Sequence, residues 1–253
     1  MALPLPTNPP APKFKLQPPA AYFPDAATQA LLAAVLAGDL AAAKQAVARG
    51  ASPDAEGPPD NPYNRLRLLH YAIAADSAVG VRTLMAVGAN PELSVEGGAG
   101  RPLLFAETLD KPELLGLMLD LKPVAALEPS SRKLILFEAV VGNRPRCLQV
   151  VLAHGVPIDT PDGSGGTLLR EAMDVQNYEL AKWLVEQGAS VLTDAHDLSM
   201  AWTIQFHLGK WKPGTAPWQQ VHEIQEMAIA RGAVFPAKSP KDRRAERAAS
   251  QDK

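Results

Sequence analysis

The stretch Arg67–Asn90, RLLHYAIAADSAVGVRTLMAVGAN, carries a histidine near its start and a glycine eighteen residues later. Its closing phrase, two apolar residues, two others, then glycine and a small residue, is not unique. The same form ends at Ser52 (AVARGAS), Asn90 (LMAVGAN), Pro157 (VLAHGVP), Ser190 (LVEQGAS) and Val234 (AIARGAV). The glycines are Gly50, Gly88, Gly155, Gly188 and Gly232, separated by steps of 38, 67, 33 and 44. The long step divides into 34 and 33 if the degenerate copy LMLDLKP puts Lys122 in the glycine position. A unit of about 33 residues therefore recurs, and a period of that length points to a stacked repeat architecture.

Each glycine closes an apolar helical pattern, because a helix ends most easily on a residue at positive φ, which glycine adopts without steric cost. Eighteen residues upstream of each stop lies the first turn of another short helix, at Leu32, His70, Leu104, Phe137 and Arg170. Every unit thus reads as helix, tight turn, helix and loop. LLHYAIA with VRTLMAVGAN, RPLLFAE with LLGLMLD, TLLREAM with ELAKWLVEQGAS, and GDLAAAKQAVARGASPD resemble the ankyrin repeat, whose pattern runs T-P-L-H-x-A-A, turn, V-V-x-x-L-L, G-A. The expectation is an all-α, ankyrin-repeat solenoid of about six helix-turn-helix units with atypical caps, covering residues 26–236. Approximate units are 26–60, 64–97, 98–130, 131–163, 164–194 and 195–236.

The departures from the period are informative. SPDAEGPPDNPYN, between Gly50 and Arg67, enlarges the first interrepeat loop by five residues. In the last copy a long first helix, a Lys-Trp-Lys-Pro-Gly turn and a second helix read as a modified cap, whose outer face must tolerate water. Residues 1–25 hold eight prolines and read as an extended or disordered arm, since proline interrupts helices. The arm lacks the charged and apolar regions of a signal peptide. The charged tail 237–253, AKSPKDRRAERAASQDK, reads as disordered because it is too polar to pack.

Composition sets further bounds. The 253 residues are 47% hydrophobic, enough for a sizeable core. A formal charge of -2 argues against nucleic acid or an anionic membrane as partner. No apolar run approaches the about 18 residues that a membrane span needs. The single cysteine, Cys147, forms no internal disulfide and fits a reducing cytoplasm.

Few residues suggest chemistry. His70 occupies the histidine position of the ankyrin pattern, where the resemblance implies that it ties neighbouring backbones together. Cys147 reads as a small buried hydrophobe. TPDGSGGT, around Gly163–Thr167, lacks the Gly-Lys-Ser/Thr ending of a phosphate loop and reads as a turn. Glu107, Glu138 and Glu171 read as a row on successive first helices, a solvated face or an acidic stripe. Arg101 and Arg170 are candidates to pair with these glutamates, and Trp202, Trp211 and Trp218 read as core of the last cap. No catalytic residue, cofactor or metal site is expected.

The resemblance implies a non-enzymatic module that binds another protein through loop tips and the first-helix face. The loop positions are Tyr63, Asn64 and Leu66, then Ser130, Ser131 and Lys133, then Ser164 and Gly166. The first-helix positions are Ala74, Thr108, Val141 and Asp174. Bacterial proteins of this kind include neutralisers of co-encoded toxins and effectors. The alternative is a small enzyme or ligand site in the atypical C-terminal unit, using His196, His207, His222 or Asp197.

Overall fold

A computed structural model describes residues 4–58, 65–195 and 197–251. The described residues are helical apart from loops, one β-hairpin with two-residue strands and two isolated β-bridges, and they divide into two compact bodies. The division between Val156 and Pro157 falls inside the expected repeat domain 26–236. The N-terminal body, within residues 9–156, holds four helix pairs: α1 (Ala26–Ala37) with α2 (Leu40–Ala48), α3 (Leu68–Ala74) with α4 (Ala78–Ala86), α5 (Pro102–Thr108) with α6 (Pro112–Leu121), and α7 (Pro129–Val141) with α8 (Pro145–Ala153). The C-terminal body, from residues 1–8 and 157–253, holds α9 (Leu168–Asp174) with α10 (Tyr178–Glu186), the hairpin β1 (Asp194–Ala195) and β2 (Leu198–Ser199), α11 (Met200–Gly209) with α12 (Ala216–Ala230), and α13 (Pro240–Gln251).

The 33-residue period is visible in what is buried. Leu69, Leu103, Leu136 and Leu169 take one register position in the first helices, and Ala72, Ala106, Ala139 and Ala172 the position three later. None of the eight exceeds 1% exposure. The alanines let neighbouring helices approach closely, and the leucines fill the space between them. In the second helices Leu84, Met118, Val151 and Leu184 are equivalent and fully buried. Helix starts are marked by side-chain caps at Asp25, Asp39, Ser77, Asn177 and Ser199, and by proline in the first turn of α5, α6, α7 and α8.

Two sets of left-handed residues punctuate each repeat. Gly50, Gly88, Gly155, Gly188 and Gly232 have φ between 89° and 101°, as the helix-stop reading requires. The turn inside each pair uses Gly38 and then Asp76, Asp110, Asn143 and Gln176, the last four with φ of 49–57°. Lys122 differs from the glycines it stands among, leaving α6 with extended backbone at φ -129°. Its ammonium instead bonds Asn90 Oδ1 at 3.2 Å and pairs with Glu92.

Loop carboxylates tie one repeat to the next. The Asn90 amide donates to Asp54 Oδ1 at 2.8 Å and the Glu128 amide to Glu92 Oε1 at 2.8 Å. In the C-terminal body the Ser190 amide donates to Asp159 Oδ1 at 2.9 Å. These bonds satisfy backbone donors at helix-pair exits that no helix covers.

Both termini are docked by contacts that the sequence reading did not include. Within the N-terminal body, the residues at the end of the arm are core: Tyr22 and Phe23 are 1% and 2% exposed and pack edge-on to Tyr71. Further back, the Tyr71 hydroxyl donates to Gln17 O at 3.1 Å, Phe14 meets Phe105 edge to face at 5.4 Å, and Arg144 Nη1 donates to Pro9 O at 2.9 Å. Eight residues of polyproline-like chain cover about 25 Å. Three helices packed about 10 Å apart span about 20 Å, so the arm matches the distance from α3 to the end of α7.

In the C-terminal body the tail expected to be disordered forms α13. Arg243 makes two bonds to Asp194, at 2.9 and 2.6 Å, and Arg247 pairs with Asp197. Spaced four apart on one helical face, these arginines meet Asp194 of β1 and Asp197 of the turn that follows it. Polarity rules out an apolar core for this segment, but ion pairs still dock it.

Candidate binding surface

First helices α3, α5 and α7 lie side by side in the N-terminal body. Register places Tyr71, Phe105 and Glu138 in one row, and the arm contacts two of its three members. Three residues later comes the row Ala74, Thr108 and Val141. Each member of this row is the last residue of its helix. Residues i and i+3 share a helix face, so this second row borders the arm. Thr108 and Val141 are exposed and Ala74 is half-buried.

Between the rows lies a residue whose register the sequence reading misplaced. Glu107 does not align with Glu138 and Glu171. It occupies the position of Ile73, Val140 and Met173, all fully buried, and it is itself only 2% exposed. Neither carboxylate oxygen has a hydrogen-bond partner among the described residues. Burial first, and then the Glu138 carboxylate, push its carboxyl well above the usual range. Glu107 lines a cavity of about 120 Å³ with Leu104, Thr108, Glu138, Gly142 and Arg144. Thr108, Glu138 and Gly142 are exposed at its rim, while Arg144 is buried.

His70 is fully buried and ties backbone to backbone, as its place in the repeat pattern implied. Its Nδ1 accepts from the Arg67 amide at 3.2 Å, so its Nε2 carries the proton toward Gly100 O at 3.1 Å. The first bond caps α3 and the second reaches the following hairpin loop. Desolvation pushes the imidazole pKa down to about 3, against the Gly100 bond that favours the charged form. Cys147 is also fully buried, and burial raises its thiol.

The other proposed docking positions divide by burial. Tyr63 and Asn64 lie outside the described residues. Leu66 and Ser131 are 1% exposed, and Gly166 is buried, so none of them presents a side chain to a partner. Ser130, Ser131 and Lys133 are in α7, which begins at Pro129, and not in a preceding loop. Arg101 donates to Ser131 Oγ at 2.7 Å and to Ser130 at 3.3 Å, and pairs with no glutamate among the described residues. Ser130 and Lys133 remain exposed.

In the C-terminal body Asp174 is exposed at the end of α9, and Arg170 donates to Leu198 O at 2.6 Å. Ser164 is exposed, but its amide and hydroxyl both bond Asp162 Oδ1, at 2.6 and 2.9 Å, as does the Gly166 amide at 2.8 Å. Against burial, these donors hold the Asp162 carboxyl below its usual range. The glycine-rich loop therefore closes on its own aspartate, leaving these amides no free direction toward a phosphate.

The histidines considered for chemistry have structural partners. The Trp211 indole donates to the Tyr178 hydroxyl at 3.0 Å, which leaves that hydroxyl to donate to His207 Nδ1 at 3.0 Å. His207 is 1% exposed, with Nε2 turned toward Asp174 at 3.5 Å. His222 stacks on Trp218, and Asp197 is held by Arg247. His196 lies outside the described residues. Trp202, Trp211 and Trp218 are half-buried, whereas the buried tryptophan is Trp183. Among the described residues no three His, Cys, Asp or Glu are placed to hold a metal ion, and no helix is long and apolar enough to cross a membrane.

The helix pairs, left-handed stops and interrepeat carboxylate bonds define an ankyrin-repeat fold, and solved structures agree. The chain is similar to the ankyrin repeat domain of Bcl-3, described as a unique member of the IkappaB protein family, at 22% identity over 84% of this chain and 90% of that one, TM-score 0.62. An ankyrin repeat domain from Acinetobacter baumannii AYE matches at 17% identity over 81% and 98%, TM-score 0.56. The human ASB11 ankyrin repeat domain matches at 22% identity over 83% and 86%, TM-score 0.51. No protein-family model and no curated protein matches the sequence.

Proposed function

We propose that this chain is a protein-binding module whose N-terminal body docks a partner on the row Ala74, Thr108 and Val141. One observation carries this reading. The face of α3 and α5 that is not core is partly covered by the chain's own arm, in backbone and ring contacts, and the arm is also held by Arg144 just after α7. A face that already holds an extended peptide has the shape and the bonding groups to hold another. Val141, 54% exposed at the edge of that face, supplies apolar area that folding leaves uncovered.

The test uses Thr108→Arg and Val141→Asp, both at exposed positions where a charge costs the fold little. Capture of a stoichiometric partner by the tagged wild-type chain and its loss with either variant, at unchanged melting temperature, supports the reading. Equal capture by both variants sinks it. In one finer version the partner is a toxin encoded beside this chain, and co-expression then relieves the toxin's effect.

A further inference from the structure

The cavity beside Glu107 carries a more specific inference. We propose that it receives the cationic end group of an arginine or lysine side chain presented by the protein that docks on α5 and α7. This rests on the docking reading above and names the chemistry of its contact.

Three observations converge on it. The first is position: the equivalent residues Ile73, Val140 and Met173 are buried core, so a carboxylate here replaces apolar packing with a group that costs stability. Such local departures from a rule that the rest of the fold obeys mark sites kept for function. The second is the unpaired state of Glu107, whose two oxygens are shielded from water and unbonded among the described residues. Arg144 does not supply the missing partner. Its Nη1 is engaged by the arm at Pro9 O.

The third is size and charge. The cavity of about 120 Å³ is well below the roughly 300 Å³ at which small-molecule pockets begin, and it suits an ammonium or guanidinium group better than a whole metabolite. Glu138 balances Arg144 while Glu107 keeps its proton, and once a cation draws that proton off, two carboxylates face one guanidinium. The rim residue Thr108 belongs to the proposed docking row, so a partner seated there has the cavity mouth beneath it. The partner's cation would restore charge on Glu107 and bring it hydrogen-bond donors, which folding alone does not.

The experiment titrates the full chain with n-propylguanidinium, with neutral n-propylurea as control, and follows backbone amide NMR signals of Leu104, Thr108 and Gly142. Saturable shifts with the guanidinium, lost in Glu107→Gln and in the mouth-filling Thr108→Phe, support the proposal. Equal shifts with the urea, or shifts retained in Glu107→Gln, overturn it. Binding of 1,4-diaminobutane more than tenfold tighter than n-butylammonium, the mimic of a lysine end group, would also overturn it, since a free diamine would then be the ligand. The melting temperature of each variant confirms that it is folded. If Thr108→Arg abolishes partner capture while Glu107→Gln leaves both capture and titration unchanged, the cavity assignment fails and the docking surface stands.

Discussion

His70 offers a quantitative test of how the N-terminal body holds together. Its imidazole is fully buried and bonded through both nitrogens, with its pKa pushed from 6.5 to about 3. The folded state thus refuses a proton that the unfolded state accepts. Stability from this group is fully present above pH 6.5 and is lost as pH falls toward the folded value. With those two pKa values, lowering the pH from 7.5 to 5 removes about 2 kcal/mol. Glu107 acts in the opposite direction, because its raised carboxyl holds a proton in the folded chain after the unfolded chain has released it, so acid lessens its cost. Comparing wild type with His70→Gln cancels Glu107 and every other common group. The variant should be less stable at pH 7.5 by about 1–3 kcal/mol, from lost or strained hydrogen bonds, and the gap should shrink by about 2 kcal/mol at pH 5. All four tryptophans, Trp183, Trp202, Trp211 and Trp218, belong to the C-terminal body. Urea unfolding followed by far-ultraviolet circular dichroism, with tryptophan fluorescence in parallel, therefore separates the two bodies. A gap that is the same at both pH values would refute the claim that folding keeps His70 neutral.

Glu107→Ile, which restores the residue type found at Ile73, should raise the dichroism midpoint by the equivalent of about 1–3 kcal/mol at pH 7.5; a lower midpoint would mean that the carboxylate has a structural partner after all. Gly155→Ala places a side chain at φ 89°, where nothing lies within 4 Å to clash. Its cost is backbone strain alone, about 1 kcal/mol, read in the same unfolding curve. Gln176 is the converse case at φ 57°, and Gln176→Gly should leave stability unchanged or raise it by up to about 1 kcal/mol, read by tryptophan fluorescence. Phe14→Ala removes the ring contact with Phe105 and should cost about 1 kcal/mol, with faster proteolysis of the arm as a second readout.

The fold was legible because backbone geometry restricts residue choice. A helix stop at φ near 100° admits little besides glycine, so five glycines expose the period. The inner turns are harder to read, since Asp76, Asp110, Asn143 and Gln176 meet a similar requirement with three residue types. Burial of the arm and docking of α13 depend on surfaces built by distant repeats: Gln17 needs Tyr71, and Arg243 needs Asp194. Neither pairing leaves a local pattern. Glu107 differs in kind, because its signal was present and misassigned. Aligning glutamate with glutamate put it beside Glu138 and made it part of a solvated stripe. The buried leucines Leu69, Leu103, Leu136 and Leu169 shift that register by two and put the carboxylate at a position of Ile, Val and Met. Residue identity thus suggested the wrong register where the apolar period gave the right one. The same correction turns an ordinary surface acid into an unpaired buried one, and that makes Glu107 a binding candidate.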